Sequence, residues 1–289
     1  MNWPSAKRKT KMKKTVLVAA KKTVLVAALT FCAPIMAFAN TNPILAANNE
    51  AGVAVTGSLM NYQENAPAAY GPADTESGWR PGFAVKGSYM GNVFGINNGY
   101  AAIHYDHSAG NIAYMGNVGG RPYNGTDSAA TNRVMARVGV GIKIPLPGPD
   151  HQMMITPYIA GGYQNWNRAL QGPYGYTEDY HAGLVGSGAL FQYAVTPRFV
   201  VSGNSEVLAV VGGGMTPHIR GMGNASFGTS AEVKVMAGVD YRIAGPVHLF
   251  SEVSYTHFTY TGGAVKGGAL EPSSATNLFA MEAGVAYSF

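Results

Sequence analysis

His104 and Asp106 stand two residues apart in a stretch of alternating character, so an extended backbone puts both on one face, where a carboxylate can orient an imidazole for acid/base work. His107 follows Asp106 directly and faces the other way, which keeps those two from acting together. Another imidazole lies in Tyr255-Thr256-His257-Phe258-Thr259, where the same alternation puts His257 and Thr259 on the apolar side. Cys32 is the only cysteine and falls in an apolar N-terminal stretch, so the rest of the chain has no thiolate nucleophile and no disulfide. There is no Cys/His ligand spacing, phosphate-binding loop or His-Glu-x-x-His, and neither a metal nor a cofactor is expected.

The remaining chemically capable residues are charges spaced through regular segments: Lys86, His104, Asp106, Arg133, Arg137, Lys143, Glu206, Glu232, Lys234, Asp240, Arg242, Glu252 and Glu282. Both signs occur in similar number, and the segments carrying them alternate with period two. From Phe279 to Phe289, Phe279, Met281, Ala283, Val285, Tyr287 and Phe289 share one face, while Glu282 stands among small residues on the other. Val134, Ala136, Val138, Val140, Ile142 and Ile144 likewise oppose Arg133, Arg137 and Lys143, and Val233, Val235, Val239 and Tyr241 oppose Glu232, Lys234, Asp240 and Arg242. These are strands with one greasy face and one charged face.

Composition agrees with an all-β chain: 289 residues with 38 Gly, 17 Tyr and 12% charged residues. The formal charge of +5 does not mark a nucleic-acid binder. Eight Lys and Arg fall within residues 1–39, which hold no acid; taking them from the 20 in the chain leaves fewer bases than the 15 acids. That front segment reads as a secretory signal peptide spanning 1–39. It has a basic start, an apolar stretch from Thr23 to Phe38, and Ala37-Phe38-Ala39 before the expected cleavage point. Lys13–Ala20 repeats unchanged as Lys21–Ala28, which leaves Met1 or Met12 as the start.

After residue 40 no run approaches the ~18 apolar residues of a membrane helix. Ten strands are predicted instead: Gly52–Tyr62, Pro81–Met90, Gly99–Ser108, Asn132–Ile144, Met154–Trp166, His181–Val195, Phe199–Val211, Ala231–Ile243, Val247–Tyr260 and Asn277–Phe289. Eight or twelve strands are the alternatives, the third strand being short. Most exceed the usual 5–6 residues of soluble sheets and suit a tilted membrane crossing. Short turns at 91–98, 145–153, 196–198 and 244–246 alternate with longer Gly-, Pro- and Asn-rich segments at 63–80, 109–131, 167–180, 212–230 and 261–276. An even strand count with this asymmetry predicts a transmembrane antiparallel up-and-down β-barrel over 52–289, preceded by a short periplasmic segment, 40–51. Tyr89, Tyr105, Tyr163, Trp166, Tyr193, Tyr255 and Tyr287 are assigned to its aromatic girdles.

On these features the chain resembles the small outer-membrane barrels of Gram-negative bacteria grouped as porin-family or OmpA-like proteins. The terminal Val285, Tyr287 and Phe289 resemble the signal such proteins present to the barrel assembly machinery. The resemblance implies an outer-membrane location in contact with lipid and lipopolysaccharide, a monomer, and surface contacts through external loops such as 167–180, rich in aromatic and acidic residues. It implies no particular activity. His257 and Thr259 resemble the lipid-facing His-x-Ser of lipid A deacylases, with Thr for Ser. The strand count resembles that of omptin proteases, but without a matching acidic pair and Asp-x-His. The expected function is structural or surface-interactive and non-enzymatic, with a small porin-like channel as the alternative and an outer-membrane hydrolase third.

In such a barrel these thirteen charges line the lumen and plug it. Pairing across Gly245-Pro246 predicts Arg242 as partner of Glu252, with Glu282 opposite Ser254 and near Glu252, and Arg133 or Arg137 as the base those two acids require.

Overall fold

The computed structural model describes residues 42–65, 73–118, 121–146, 152–265 and 269–289. The signal-peptide reading of 1–39 lies outside them.

Among the described residues, one short helix, α1 (Pro43–Asn48), precedes fourteen strands. Ten of these close a barrel: β1 (Glu50–Asn65), β2 (Thr75–Val93), β3 (Ile96–Val118), β4 (Arg121–Val140), β6 (Gln152–Leu170), β7 (Thr177–Thr196), β8 (Phe199–Pro217), β10 (Ser230–Ala244), β11 (Val247–Tyr260) and β14 (Ser273–Ser288). Each pairs antiparallel with its neighbours, β1 meets β14 from Glu50↔Ser288 to Asn65↔Ser273, and β8 joins β10 to complete the ring. β5 (Ile142–Ile144) extends the β6 edge. β9 (Ala225–Ser226), β12 (Gly263–Val265) and β13 (Ala269–Glu271) are short strands within the longer connections.

The ten strands are those expected, most of them longer, with Val247–Tyr260 unchanged and the end of the expected Asn132–Ile144 set off as β5. The strand taken as short is β3, with 23 residues, and the described residues of 63–80, 109–131 and 167–180 are largely strand rather than loop. Glycine and proline at Pro81, Gly110 and Pro122 signal turns to a local reading, yet Pro81 falls in the gap of the β2–β3 ladder between Ser77 and Gly82, and Pro122 lies where β4 is paired on the β3 side before its pairing with β6 begins at Asp127.

Alternation sets the two faces. On β1, Val53 and Val55 face outward, Val55 at 73% exposure, while Ala54, Ser58, Met60, Tyr62 and Glu64 are buried inside. Phe83, Val85, Ile103, Val138, Ile159, Val207, Val235, Leu249, Phe279 and Met281 continue the outer apolar surface around the ring. Apolar outside and charged inside is the inverse of a soluble sandwich and the arrangement a hydrocarbon solvent selects. Trp166 is a correction to the girdle assignment: it lies inside, 4% exposed. Short turns gather at one end: Phe94 and Gly95 both adopt positive φ (50° and 85°) in the β2–β3 turn, and Gly245 does so (53°) between β10 and β11.

At that same end α1 packs against the inner face. Asn42 caps it, accepting from the Ile44 and Leu45 backbone N–H at 3.0 and 3.2 Å, and Pro43 takes the first-turn position that needs no donor. Ile44 and Asn48 are buried, and Asn48 donates to Gln192 Oε1 on β7 at 2.6 Å. Asn49 substitutes for a strand neighbour: it accepts from Met90 N–H at 2.8 Å and donates to Met90 C=O at 2.9 Å. Ser288 donates to Ala46 C=O and the Phe289 N–H to Asn49 C=O, so both ends of the barrel sequence meet on this helix. Of the segment read as a periplasmic extension, the described residues 42–49 thus stop the barrel mouth.

Candidate functional site

The lumen holds three tiers of charge. Nearest α1, Lys86 on β2 reaches Glu50 at 2.9 Å and Glu252 on β11 at 3.7 Å, and its ammonium lies 3.3 Å from the Phe250 ring centre. His104 on β3 contacts Glu282 on β14 at 3.3 Å and Asp106 at 3.9 Å. His248 meets Asp240 at 2.6 Å. Strands β2 and β11, like β3 and β14, are not neighbours, so these contacts span the interior.

At mid-height Arg133 on β4 grips Glu232 on β10 with both terminal nitrogens, at 2.8 and 2.5 Å, and also donates to Gln164 at 3.1 Å. Arg137 donates to Glu206 on β8 at 2.8 Å. Tyr158 donates to Asn204 and contacts the same Glu206 at 2.7 and 3.1 Å, beneath the Arg137 guanidinium. Bidentate arginine–carboxylate pairs satisfy several donors at once, which is what a buried ion pair requires to be tolerated.

Toward the long-loop end, Arg168 on β6 is 1% exposed and surrounded by acids. It donates through Nε to Glu76, to Glu178 at 2.8 Å and to Asp74 at 3.1 Å, and Glu64 is 3.6 Å away. The Tyr62 and Tyr114 rings flank it at 5.6 and 5.4 Å. Beside this cluster Trp166 stacks on Tyr180 at 5.0 Å and meets Tyr62 edge-on at 4.9 Å, while Tyr260 and Phe227 extend the aromatic layer. Phe227 belongs to the β8–β10 connection, whose β9 pairs with β8 and β12 and folds over the aromatic layer. Tyr180 donates to Glu271 on β13 at 2.6 Å, drawing the β11–β14 connection in as well.

Eleven of the thirteen residues read as luminal face inward in these tiers or line their cavities; Lys234 does the latter, beside Glu252. Lys143 does not: it lies exposed on β5, beyond the end of β4, where the strand has left the lumen. Arg242 is at the rim of the short-turn end and donates to Pro197 C=O at 3.0 Å. Its expected partner Glu252 turns to Lys86, because Arg242 pairs in register with His248 while Glu252 lies opposite Gly238. Glu282 faces Glu252 directly rather than Ser254. The bases serving those two acids are Lys86 and His104, three strands around, and not Arg133 or Arg137, which meet Glu232 and Glu206. The sequence reading missed Glu50, Glu64, Asp74, Glu76, Asp127, Arg168, Glu178, His248 and Glu271 as interior residues. The even-number parity of Tyr62, Glu64, Glu76, Trp166, Arg168 and Glu178 was the signal that they continue the inward faces.

Outside, two equivalent arrangements occur. Tyr105 and His107 on β3 both bond Asn132 Oδ1, at 2.8 and 2.9 Å, and Tyr255 and His257 on β11 both bond Asn277 Oδ1, at 2.6 and 2.9 Å. The amide oxygen accepts, so it draws the imidazole proton to Nδ1. Val285 and Tyr287 also face outward, each about half exposed.

No protein-family model and no curated protein matches this chain. Among solved structures it is similar to the outer membrane protease OmpT from Escherichia coli, at 8% identity and a TM-score of 0.47 over 83% of this chain and 96% of that one. It is also similar to Neisserial surface protein A, at 12% identity and a TM-score of 0.32 over 83% and 97% of the two chains. Outer membrane protein OprG from Pseudomonas aeruginosa gives 12% identity and a TM-score of 0.31 over 84% and 98%.

Proposed function

We propose that the chain is a non-conducting, non-enzymatic barrel of a bacterial outer membrane, acting as a structural element and through its outer surface. The observation that carries this is the occlusion of the lumen at three heights: α1 with the Lys86 tier, the Arg133–Glu232 and Arg137–Glu206 pairs, and the Arg168 cluster under the β9–β12 flap. A conducting pore needs mobile water and charges left for the permeant ion. Here most of the charges engage one another across the lumen, and the cavities between tiers measure only about 120 and 90 Å³.

The membrane assignment rests on the apolar outer belt and on the short-turn and long-loop ends. The belt meets lipid acyl chains and the long-loop end meets lipopolysaccharide and any surface ligand. The ligand-facing feature there is a cavity of about 530 Å³ bounded by Glu64, Asp74, Glu178, Glu271, Tyr174 and Tyr176. The terminus ending in Phe289, with Val285 and Tyr287 outward, is the segment read by the assembly machinery. The non-enzymatic reading is supported by the orientation of His257, whose Nδ1 engages the neutral Asn277 amide rather than a carboxylate, with a threonine at 259 in place of a serine.

Planar-bilayer recording of the refolded chain tests the proposal. Silence from a folded barrel is expected, whereas steady, ion-selective openings would replace it with the channel reading.

A further inference from the structure

We propose that Glu50, Asp240 and His248 form a binding site for a divalent transition-metal ion, tying the start of β1, and with it α1, to the β10–β11 hairpin. One ligand atom from each residue lies within 4.8 Å of the others. His248 Nδ1 is 2.6 Å from Asp240 Oδ1 and 3.9 Å from Glu50 Oε2. A tetrahedral ion with bonds of about 2.0–2.2 Å spaces its donors about 3.4 Å apart, so the two distances bracket the requirement and small side-chain rotations meet it.

A second, independent observation points to a ligand. Glu50 and His248 are each 2% exposed, and Glu50 Oε2, the oxygen that faces His248 Nδ1, is buried without a hydrogen-bond partner. Dry carboxylate oxygens are costly to leave unsatisfied. Lys86 does not satisfy them: it holds the other oxygen of Glu50 and reaches toward Glu252, which adds a further acid. The adjoining cavity of about 120 Å³, bounded by Glu50, Lys86, Asp240 and Glu252, has room for a water as fourth ligand. One imidazole with two carboxylates suits Zn²⁺ and its first-row neighbours, whereas Mg²⁺ and Ca²⁺ favour all-oxygen shells. Metal-motif reading could not find this set, because residue 50 comes from the far end of the chain and Asp240 and His248 flank a turn. The inference stands whether or not the barrel conducts.

The test uses the full chain refolded in detergent, stripped with chelator and titrated with ZnCl₂ while bound metal is measured. Folding is verified by gel mobility. One Zn²⁺ per chain is expected at micromolar or lower Kd, weakened at least 100-fold in both His248→Gln and Asp240→Asn and unchanged in His218→Ala. That last variant removes the exposed His218–Asp179 pair, the evident adventitious site. X-ray absorption of the wild-type complex should give one nitrogen-donor imidazole with oxygen ligands, a readout that survives if a variant fails to fold. Absence of stoichiometric Zn²⁺, equal affinity in wild type and the two site variants, or a shell of several imidazoles would each overturn the proposal.

Discussion

Replacing Arg168 with Met removes the guanidinium that contacts Glu64, Asp74, Glu76 and Glu178 from inside the barrel. Methionine keeps much of the side-chain volume, so the change is chiefly electrostatic. Breaking a buried ion pair by deleting one partner costs about 3–5 kcal/mol, because the other charge is left uncompensated. Against a total stability of about 5–15 kcal/mol that is a large fraction. Here four acids lose a shared partner, which places the expected loss at or above the middle of that range at neutral pH. The sign with pH follows from charge: protonating a buried carboxylate removes its repulsion of the others, so the variant's deficit should shrink on acidification. Adding Glu76→Gln and Glu178→Gln to the arginine variant should restore more than half of the loss. The assay is urea unfolding from detergent micelles followed by Trp fluorescence, with heat-modifiable gel mobility as the check of the barrel. A neutral-pH loss under about 1 kcal/mol, or no recovery in the triple variant, would refute the view that Arg168 organises this end of the lumen.

Arg137→Ala and Glu206→Gln should be strongly non-additive, with a coupling of about 2–4 kcal/mol by double-mutant cycle, whereas Arg242→Ala should cost less than about 1 kcal/mol and show no coupling to Glu252→Gln, since the Arg242 side chain donates to the Pro197 carbonyl at an exposed rim and not to Glu252. Asn49→Leu should lower stability by about 2–4 kcal/mol in the same unfolding assay, because it strips both the donor and the acceptor of buried Met90 of their partner. Deleting residues 42–48 should leave planar-bilayer recordings silent, because the Arg133–Glu232 and Arg137–Glu206 tier remains; sustained current from that variant would show α1 to be the sole barrier.

Parity carried most of the fold. Val53 against Ala54, Phe83 against Ala84 and Phe279 against Glu282 announce one outer and one inner face, and the number of such segments gives the barrel. What parity does not encode is depth. It placed Lys143 inside correctly by face but wrongly by height, and it paired Arg242 with Glu252 although their register positions are four residues of hairpin apart. Pairing partners across the lumen, such as Arg133 with Glu232, depend on barrel shear and diameter, which no local window contains. The outer strand ends were hidden for another reason: Asn, Gly and Pro around Pro81, Pro122 and Asn167 suggest turns, while the hydrogen bonds that hold them extended come from neighbours distant in sequence. Pro43–Asn48 is too brief for helical periodicity, and its role is visible only once Asn48 and Asn49 meet Gln192 and Met90.

The account stands on the inversion of faces, and two tryptophans report it directly. Trp79 is outward and half exposed, whereas Trp166 is buried in the lumen. Single-tryptophan chains, each with Trp3 and the other tryptophan changed to Phe, would be refolded into vesicles containing brominated lipids. Strong quenching of Trp79 by lipid bromines, with Trp166 quenched little by either lipid bromines or aqueous iodide, is the predicted result. Quenching of Trp79 by iodide and not by lipid would mean that the apolar face is not turned toward a membrane, and the barrel reading would fail.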